Sequence, residues 1–150
     1  MRLLWGSTLL GVVLGFLGQW VAPTRVPVSR AVANGAALAL MLCGLALRWS
    51  AILTLGKFFT VDVAIRPDHE VIRDGPYRFM RHPSYSGLLI AFLGFGAMFA
   101  NWASIVGVMV PITLGVLQRV VREEQVLRTS LGEAYEVYAR STKRFLPGLF

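Results

Sequence analysis

With 150 residues, 55% hydrophobic and only 15% charged, and a mean hydropathy of +0.60, the chain has more apolar side chains than a soluble core of its size can enclose, and they come in long runs. The formal net charge of +7 has no soluble basic fold behind it, which argues against a nucleic-acid partner and for contact with anionic lipid head groups. The single cysteine, Cys43, rules out a disulfide within the chain and reads as a small packing residue in an apolar helix.

The first apolar run, 1–22, begins with Arg2 like a secretory leader. Cleavage after Ala22 would put Trp20 where a small residue belongs, so a retained helix is expected. Ser7, Gly11, Gly15 and Gly18 fall on one face of it. A second helix is expected over 31–56, with Ala33, Ala36, Ala37 and Gly44 as its small residues. Small faces let helices approach closely in lipid, so helices 1 and 2 are expected to pack on each other. Arg48, near the end of helix 2, is expected to snorkel to the interface. The stretch 57–82 contains Pro67, Asp68, Gly75 and Pro76 and is expected to be irregular, with a turn at Asp74-Gly75-Pro76.

The third run, 87–118, is too long for one crossing, which needs about 20 residues. Asn101-Trp102 lies near its middle, so a helical hairpin is expected, roughly 83–100 and 103–118, with Pro83 in the first turn. The last helix continues past the membrane through Arg119, Glu123 and Glu124 to Leu131. Gly132 breaks it, and a short helix carries Tyr135 and Tyr138. The expected fold is therefore all-α: a polytopic membrane protein of about four transmembrane helices, the last two a hairpin.

Outside the membrane spans, Arg2, Lys57, Arg66, Arg73, Arg78, Arg81, Arg119, Arg122, Arg128, Arg140, Lys143 and Arg144 lie on one side, against Arg25 and Arg30 on the other. That asymmetry puts both termini and the 57–82 loop in the cytoplasm.

Chemistry concentrates in 74–87, where two arginines, a histidine and two tyrosines interrupt the apolar runs. Arg119 and Glu123, four apart, share a helix face where the last span leaves the bilayer. Taken alone, they read most simply as an i,i+4 ion pair. His69 and His82 have no cysteine or suitably spaced carboxylate beside them, so no metal is expected. Ser84 and Ser86 lie at a helix start, where serine is common. The glycines form no GxGxxG or P-loop, and the nearest approach, Gly94-Phe95-Gly96, lies inside a membrane helix. The residues by themselves give a polar cytoplasmic pocket near the interface, its ligand open.

Gly75-Pro76-Tyr77-Arg78, then Arg81-His82-Pro83-Ser84-Tyr85-x-Gly87, then Glu123-Glu124 and Gly132-x-x-Tyr135-x-x-Tyr138 resemble the isoprenylcysteine carboxyl methyltransferase family, which is related to the integral-membrane phospholipid methyltransferases. The resemblance covers roughly 55–150, including the terminal Leu146-Pro147. It implies one integral-membrane methyltransferase domain over 1–150, with two packing helices in 1–56 and a cofactor loop, hairpin and helical tail in 57–150. It also implies S-adenosyl-L-methionine as cofactor. His69, Glu70, Val71 and Ile72 match the segment lining the cofactor. Tyr77 matches the turn tyrosine, His82, Pro83, Ser84 and Tyr85 the contact segment, and Glu123 the acidic residue that holds the cofactor. Arg119 matches the arginine that orients the acceptor.

The implied activity is methyl transfer to a lipophilic or prenylated acceptor, first of all carboxyl O-methylation of isoprenylcysteine type. Phospholipid amines and small thiols are other acceptors. A nicotinamide-dependent membrane reductase and a non-catalytic scaffold are the readings from other classes. Implied partners are the acceptor and membrane lipids, with the protein a monomer or weak homo-oligomer. Eukaryotic members have additional amino-terminal helices, and this chain has two before its polar loop.

Overall fold

The computed structural model describes residues 2–58 and 71–145. Among the described residues are five α-helices: α1 (Arg2–Gly18), α2 (Arg30–Leu55), α3 (Pro83–Ala97), α4 (Trp102–Leu131) and α5 (Glu133–Ser141). Among the described residues there are no strands, only isolated bridges between Arg25 and Asn101 and between Met80 and Lys143.

The helix limits follow local chemistry. Ser29 caps α2 through its side chain, which accepts from the Val32 amide. Asn101 caps α4, accepting from the Ala103 and Ser104 amides. Gly132, at φ +52°, closes α4 in a conformation that a side chain would strain, and α5 starts immediately after it. α1 and α3 stop short of the expected 22 and 100. A turn at Gln19-Trp20 ends the first, and the second gives way to a turn in which Ala100 has φ +46°.

α2 and α4 are long and apolar enough to cross a membrane; α1 and α3 are shorter apolar helices. Only 17% and 33% of the most apolar windows of α2 and α4 are buried, so these are not the enclosed helices of a soluble core. Leu42, Trp49, Leu53, Val106, Val110 and Leu114 all face outward, as lipid-facing side chains would. Cys43 faces outward with them and does not pack.

The packing order corrects one expectation. α1 packs on α4, α4 on α3, and α3 on α2, so the hairpin stands where direct α1–α2 packing was expected. The small residues explain the choice. A Cβ on Gly18 would fall 2.6 Å from the Ser104 nitrogen, and one on Gly11 2.8 Å from the Val108 carbonyl, so the α1 glycine face is used up on α4. A Cβ on Gly87 would fall 2.5 Å from the Gly44 carbonyl, and one on Gly94 2.6 Å from the Ala37 carbonyl, so α2 and α3 touch backbone to backbone. Val108, Ile112, Val116 and Val120 form the fully buried spine of α4, flanked by Leu88, Leu89, Phe92 and Phe95 of α3.

The end of the hairpin remote from the polar loop is clasped. Buried Asn101 accepts from Thr24 Oγ1 (2.7 Å) and donates to the Val21 carbonyl (3.1 Å), while the Val26 amide reaches the Ala100 carbonyl (2.9 Å). The connection between α1 and α2 is thereby tied to the turn between α3 and α4.

Candidate active site

At the opposite end, the polar motifs converge. Gly75–Arg78 forms a 3₁₀ turn with Pro76 in its first positions and Gly75 at φ +54°. The turn rests on α2, with Gly75 against Thr54. Its carbonyls are gathered by α5: the buried Tyr138 hydroxyl donates to the Tyr77 carbonyl at 2.7 Å. The tail then runs beside the loop, the Arg81 and His82 amides donating to the Lys143 and Arg144 carbonyls at 2.8 and 3.0 Å. Burial, followed by the Glu123 charge, raises the Tyr77 phenol above its ordinary range; burial also lifts Tyr138, to about 12. Both stay protonated at neutral pH.

Glu124 of α4 is the hub of this end. It is buried (3% exposed) and accepts from Arg81 Nε at 3.1 Å, His82 Nε2 at 3.3 Å and Arg144 Nη2 at 2.9 Å. Burial alone would raise its carboxyl, but the hydrogen bonds from His82, Arg144 and Arg81 outweigh it and hold the group well below the carboxylate range. An ionised carboxylate only accepts, so the proton on the facing His82 nitrogen is on Nε2. Arg81 also donates to the Ala139 and Thr142 carbonyls, joining α4, α5 and the loop through one guanidinium.

One residue earlier on α4, Glu123 belongs to a second set. The Tyr85 hydroxyl donates to Glu123 Oε2 at 2.8 Å and accepts from Arg119 Nε. The expected shared face of Arg119 and Glu123 therefore exists, with the hydroxyl of α3 inserted between the charges. On the other side of α3, Arg48 of α2 donates from Nη1 to the Ser84 carbonyl (3.2 Å) and hydroxyl (3.0 Å). Arg48 thus turns into the bundle instead of snorkelling outward.

Of the residues expected to line the site, Val71 and Ile72 are half-buried beside the 3₁₀ turn, Tyr77 is buried in it, and His82, Pro83 and Ser84 are buried at the start of α3. Tyr85, Arg119 and Glu123 meet directly. His69 and Glu70 lie outside the described residues. Glu124 and Arg81, though within the quoted motifs, were given no role at the site, and Arg48 and Arg144 were not expected there. A signal was present for the first, because a second glutamate about 100° further round the helix must face a different neighbour from Glu123.

The donor set suits a ligand with a positive group, an anionic group and an apolar body. Glu123 gives Oε2 to Tyr85, and among the described residues no donor takes Oε1. The Ser86 and Tyr135 hydroxyls are buried without a partner among the described residues, which marks polar groups that a ligand or water would satisfy. Among the described residues, no three His, Cys, Asp or Glu side chains gather as metal ligands.

A model of the isoprenylcysteine carboxyl methyltransferase family matches residues 37–129, which include α3, the 3₁₀ turn and the Arg119–Glu124 segment. The chain belongs to this family. Similar relatives include protein-S-isoprenylcysteine O-methyltransferase B of Arabidopsis thaliana, 35% identical over 112 residues, covering 73% of this chain and 57% of that protein. Another is the protein-S-isoprenylcysteine O-methyltransferase of Schizosaccharomyces pombe, 33% identical over 113 residues, covering 74% of this chain and 48% of that one. The chain thus spans about half the length of these relatives. Its fold matches a solved eukaryotic intramembrane Ras methyltransferase of the family with a TM-score of 0.71 at 23% identity, over 95% of this chain and 51% of that structure. The family fold is accordingly an intramembrane helical one, and the apolar, outward-facing α2 and α4 agree with it.

Proposed function

We propose that this chain is an S-adenosyl-L-methionine-dependent methyltransferase acting on a lipophilic acceptor at the membrane, with the carboxylate of an isoprenylcysteine as the acceptor group. The observation that carries the reading is the Arg119–Tyr85–Glu123 set, an arginine and a glutamate held on one hydroxyl within the segment matched by the family model.

Bound S-adenosyl-L-methionine would supply a sulfonium-activated methyl group. Glu123 would hold its ammonium or ribose hydroxyls through Oε1, and Val71, Ile72 and Tyr77 would wall its adenine. His82, Pro83 and Ser84, with His69 and Glu70 before them, would complete the cofactor side. Arg119 would orient the acceptor carboxylate. A guanidinium suits that task, because a carboxylate is already ionised at neutral pH and needs alignment rather than a general base. The four apolar helices would span the bilayer, with both termini and the site on the cytoplasmic side, as the basic residues suggest. A lipid-borne acceptor would then approach from the membrane and the soluble cofactor from the cytoplasm.

The test uses the detergent-solubilised chain with methyl-labelled S-adenosyl-L-methionine and a farnesylated N-acetylcysteine. Base-labile label on the lipid, and none when the acceptor carboxylate is already esterified, is the expected result. Transfer to a phospholipid amine or a small thiol would keep the enzyme class and replace the acceptor. Binding of reduced nicotinamide dinucleotide without binding of S-adenosyl-L-methionine would overturn the reading.

A further inference from the structure

An arginine in an apolar helix is costly unless it has a task or can reach water. Arg48 lies seven residues before the end of α2 and is half-buried. Its side chain is directed at α3, where a single nitrogen, Nη1, makes both hydrogen bonds to Ser84. Both acceptors are neutral, so neither bond is an ion pair. One turn further along α3, Gly87 lies against the Arg48 backbone: a Cβ there would fall 2.6 Å from the Arg48 nitrogen and 3.0 Å from its Cβ. The first turn of α3 is thus seated on Arg48 by a backbone contact and by a side-chain clamp.

That turn has no side-chain cap of its own, because His82, its N-cap residue, makes no capping bond. Two contacts from neighbouring helices reach it instead: Glu124 on His82 from α4, and Arg48 on Ser84 from α2. The next residue is Tyr85, whose hydroxyl joins Arg119 to Glu123.

We propose that Arg48 is a positioning residue for methyl transfer: by clamping Ser84 it fixes the first turn of α3, and with it the Tyr85 hydroxyl that sets the separation of Arg119 from Glu123. The inference rests on the methyltransferase reading for its kinetic consequence, and on the structure alone for its mechanical one. Arg48 acts through α3, its hydrogen bonds going to Ser84.

The experiment therefore has two arms. In the first, 3-fluorotyrosine is placed at position 85 and its fluorine resonance is recorded in detergent. Arg48→Met shifts or broadens it, Ser84→Ala moves it in the same sense by removing the clamp from the other side, and Arg48→Lys, which keeps one donor nitrogen, restores it. An unmoved resonance in Arg48→Met and Ser84→Ala overturns the inference whatever the enzymology. In the second arm, Arg48→Met lowers kcat on the order of 10-fold with little change in the Kd for S-adenosyl-L-methionine. Arg48→Lys recovers most of it, and Arg48→Met in a Tyr85→Phe background causes no additional loss. Losses that multiply, or a loss confined to cofactor affinity, would mean that Arg48 does not act through Tyr85 and would overturn the inference. A folded wild type that transfers no methyl group would sink the methyltransferase reading and leave the fluorine arm to judge Arg48.

Discussion

Glu124 and Arg144, twenty residues apart, meet in a two-nitrogen hydrogen-bonded pair, Arg144 Nη2 and Nε lying 2.9 and 3.1 Å from Glu124 Oε2. The pair anchors the segment after α5 to the buried face of α4. Removing the carboxylate would also leave Arg81, only 10% exposed, without its counter-charge. Glu124→Ala is therefore expected to destabilise the protein by about 3 kcal/mol or more. Arg144→Ala, which removes a 44%-exposed partner, is expected to cost much less. Thermal unfolding in detergent, followed by circular dichroism, checks the difference; equal losses would contradict the hub geometry.

The same carboxylate gives a pH dependence of known sign. Its folded pKa lies below its ordinary value of 4.5 because of its hydrogen bonds from His82, Arg144 and Arg81. Its stabilising contribution is thus fully present above that value and is lost as the pH falls through the folded pKa. The melting temperature is expected to hold from pH 6 to about 4.5 and to fall as the pH drops further, and Glu124→Gln, already lower at pH 6, is expected to fall less steeply. A parallel fall in both proteins would assign the acid sensitivity to other groups.

Within the Arg119–Tyr85–Glu123 set, the proposed division of labour can be separated by titration. Glu123→Ala is expected to weaken S-adenosyl-L-methionine binding by roughly 10-fold or more, the worth of a charge-assisted hydrogen bond. Arg119→Ala is expected to leave that affinity nearly unchanged while transfer to a carboxylate acceptor drops. Calorimetric titration beside a label-transfer assay reads both. Loss of cofactor binding in a folded Arg119→Ala protein would refute the division.

The α2–α3 contact makes two glycines of one helix behave differently. A side chain at Gly44 would collide with the backbone of Ala91 and Gly87, whereas Gly35 has open space around its α-carbon. Gly44→Val is expected to cost roughly 1–3 kcal/mol or more through overpacking. Gly35→Ala is expected to be neutral or to stabilise by up to about 1 kcal/mol through helix propensity. Melting temperatures of the two variants decide it.

Much of this architecture is legible in the residues. The break at Gly132, the turn at Asp74-Gly75-Pro76, Pro83 at the start of α3 and Asn101 between the hairpin helices are each local signals, set by φ, by a missing amide or by a capping side chain. The pairing of helices is not local. The glycines of α1 announce a close approach but not its partner, and the partner is α4 rather than α2. The same limit hid Arg48 and Glu124. A snorkelling arginine and a clamping one look alike until Ser84 of another helix is brought beside it. Two adjacent glutamates look alike until one faces Tyr85 and the other His82. The resemblance named Tyr85, Arg119 and Glu123 as site residues, but their meeting on one hydroxyl depends on the register of α3 against α4.

The pairing of α1 with α4 has a consequence for biogenesis. About a hundred residues of synthesis separate the first helix from the end of its partner, which is roughly 5–20 s at ordinary elongation rates. Throughout that interval the face of Gly11, Gly15 and Gly18 has no protein surface to meet and must be covered by lipid or by the insertion machinery. When α4 arrives, it displaces that cover along its whole length, from Ser104 to Ile112. The glycine face of α1 is thus packed only when α4 has been made.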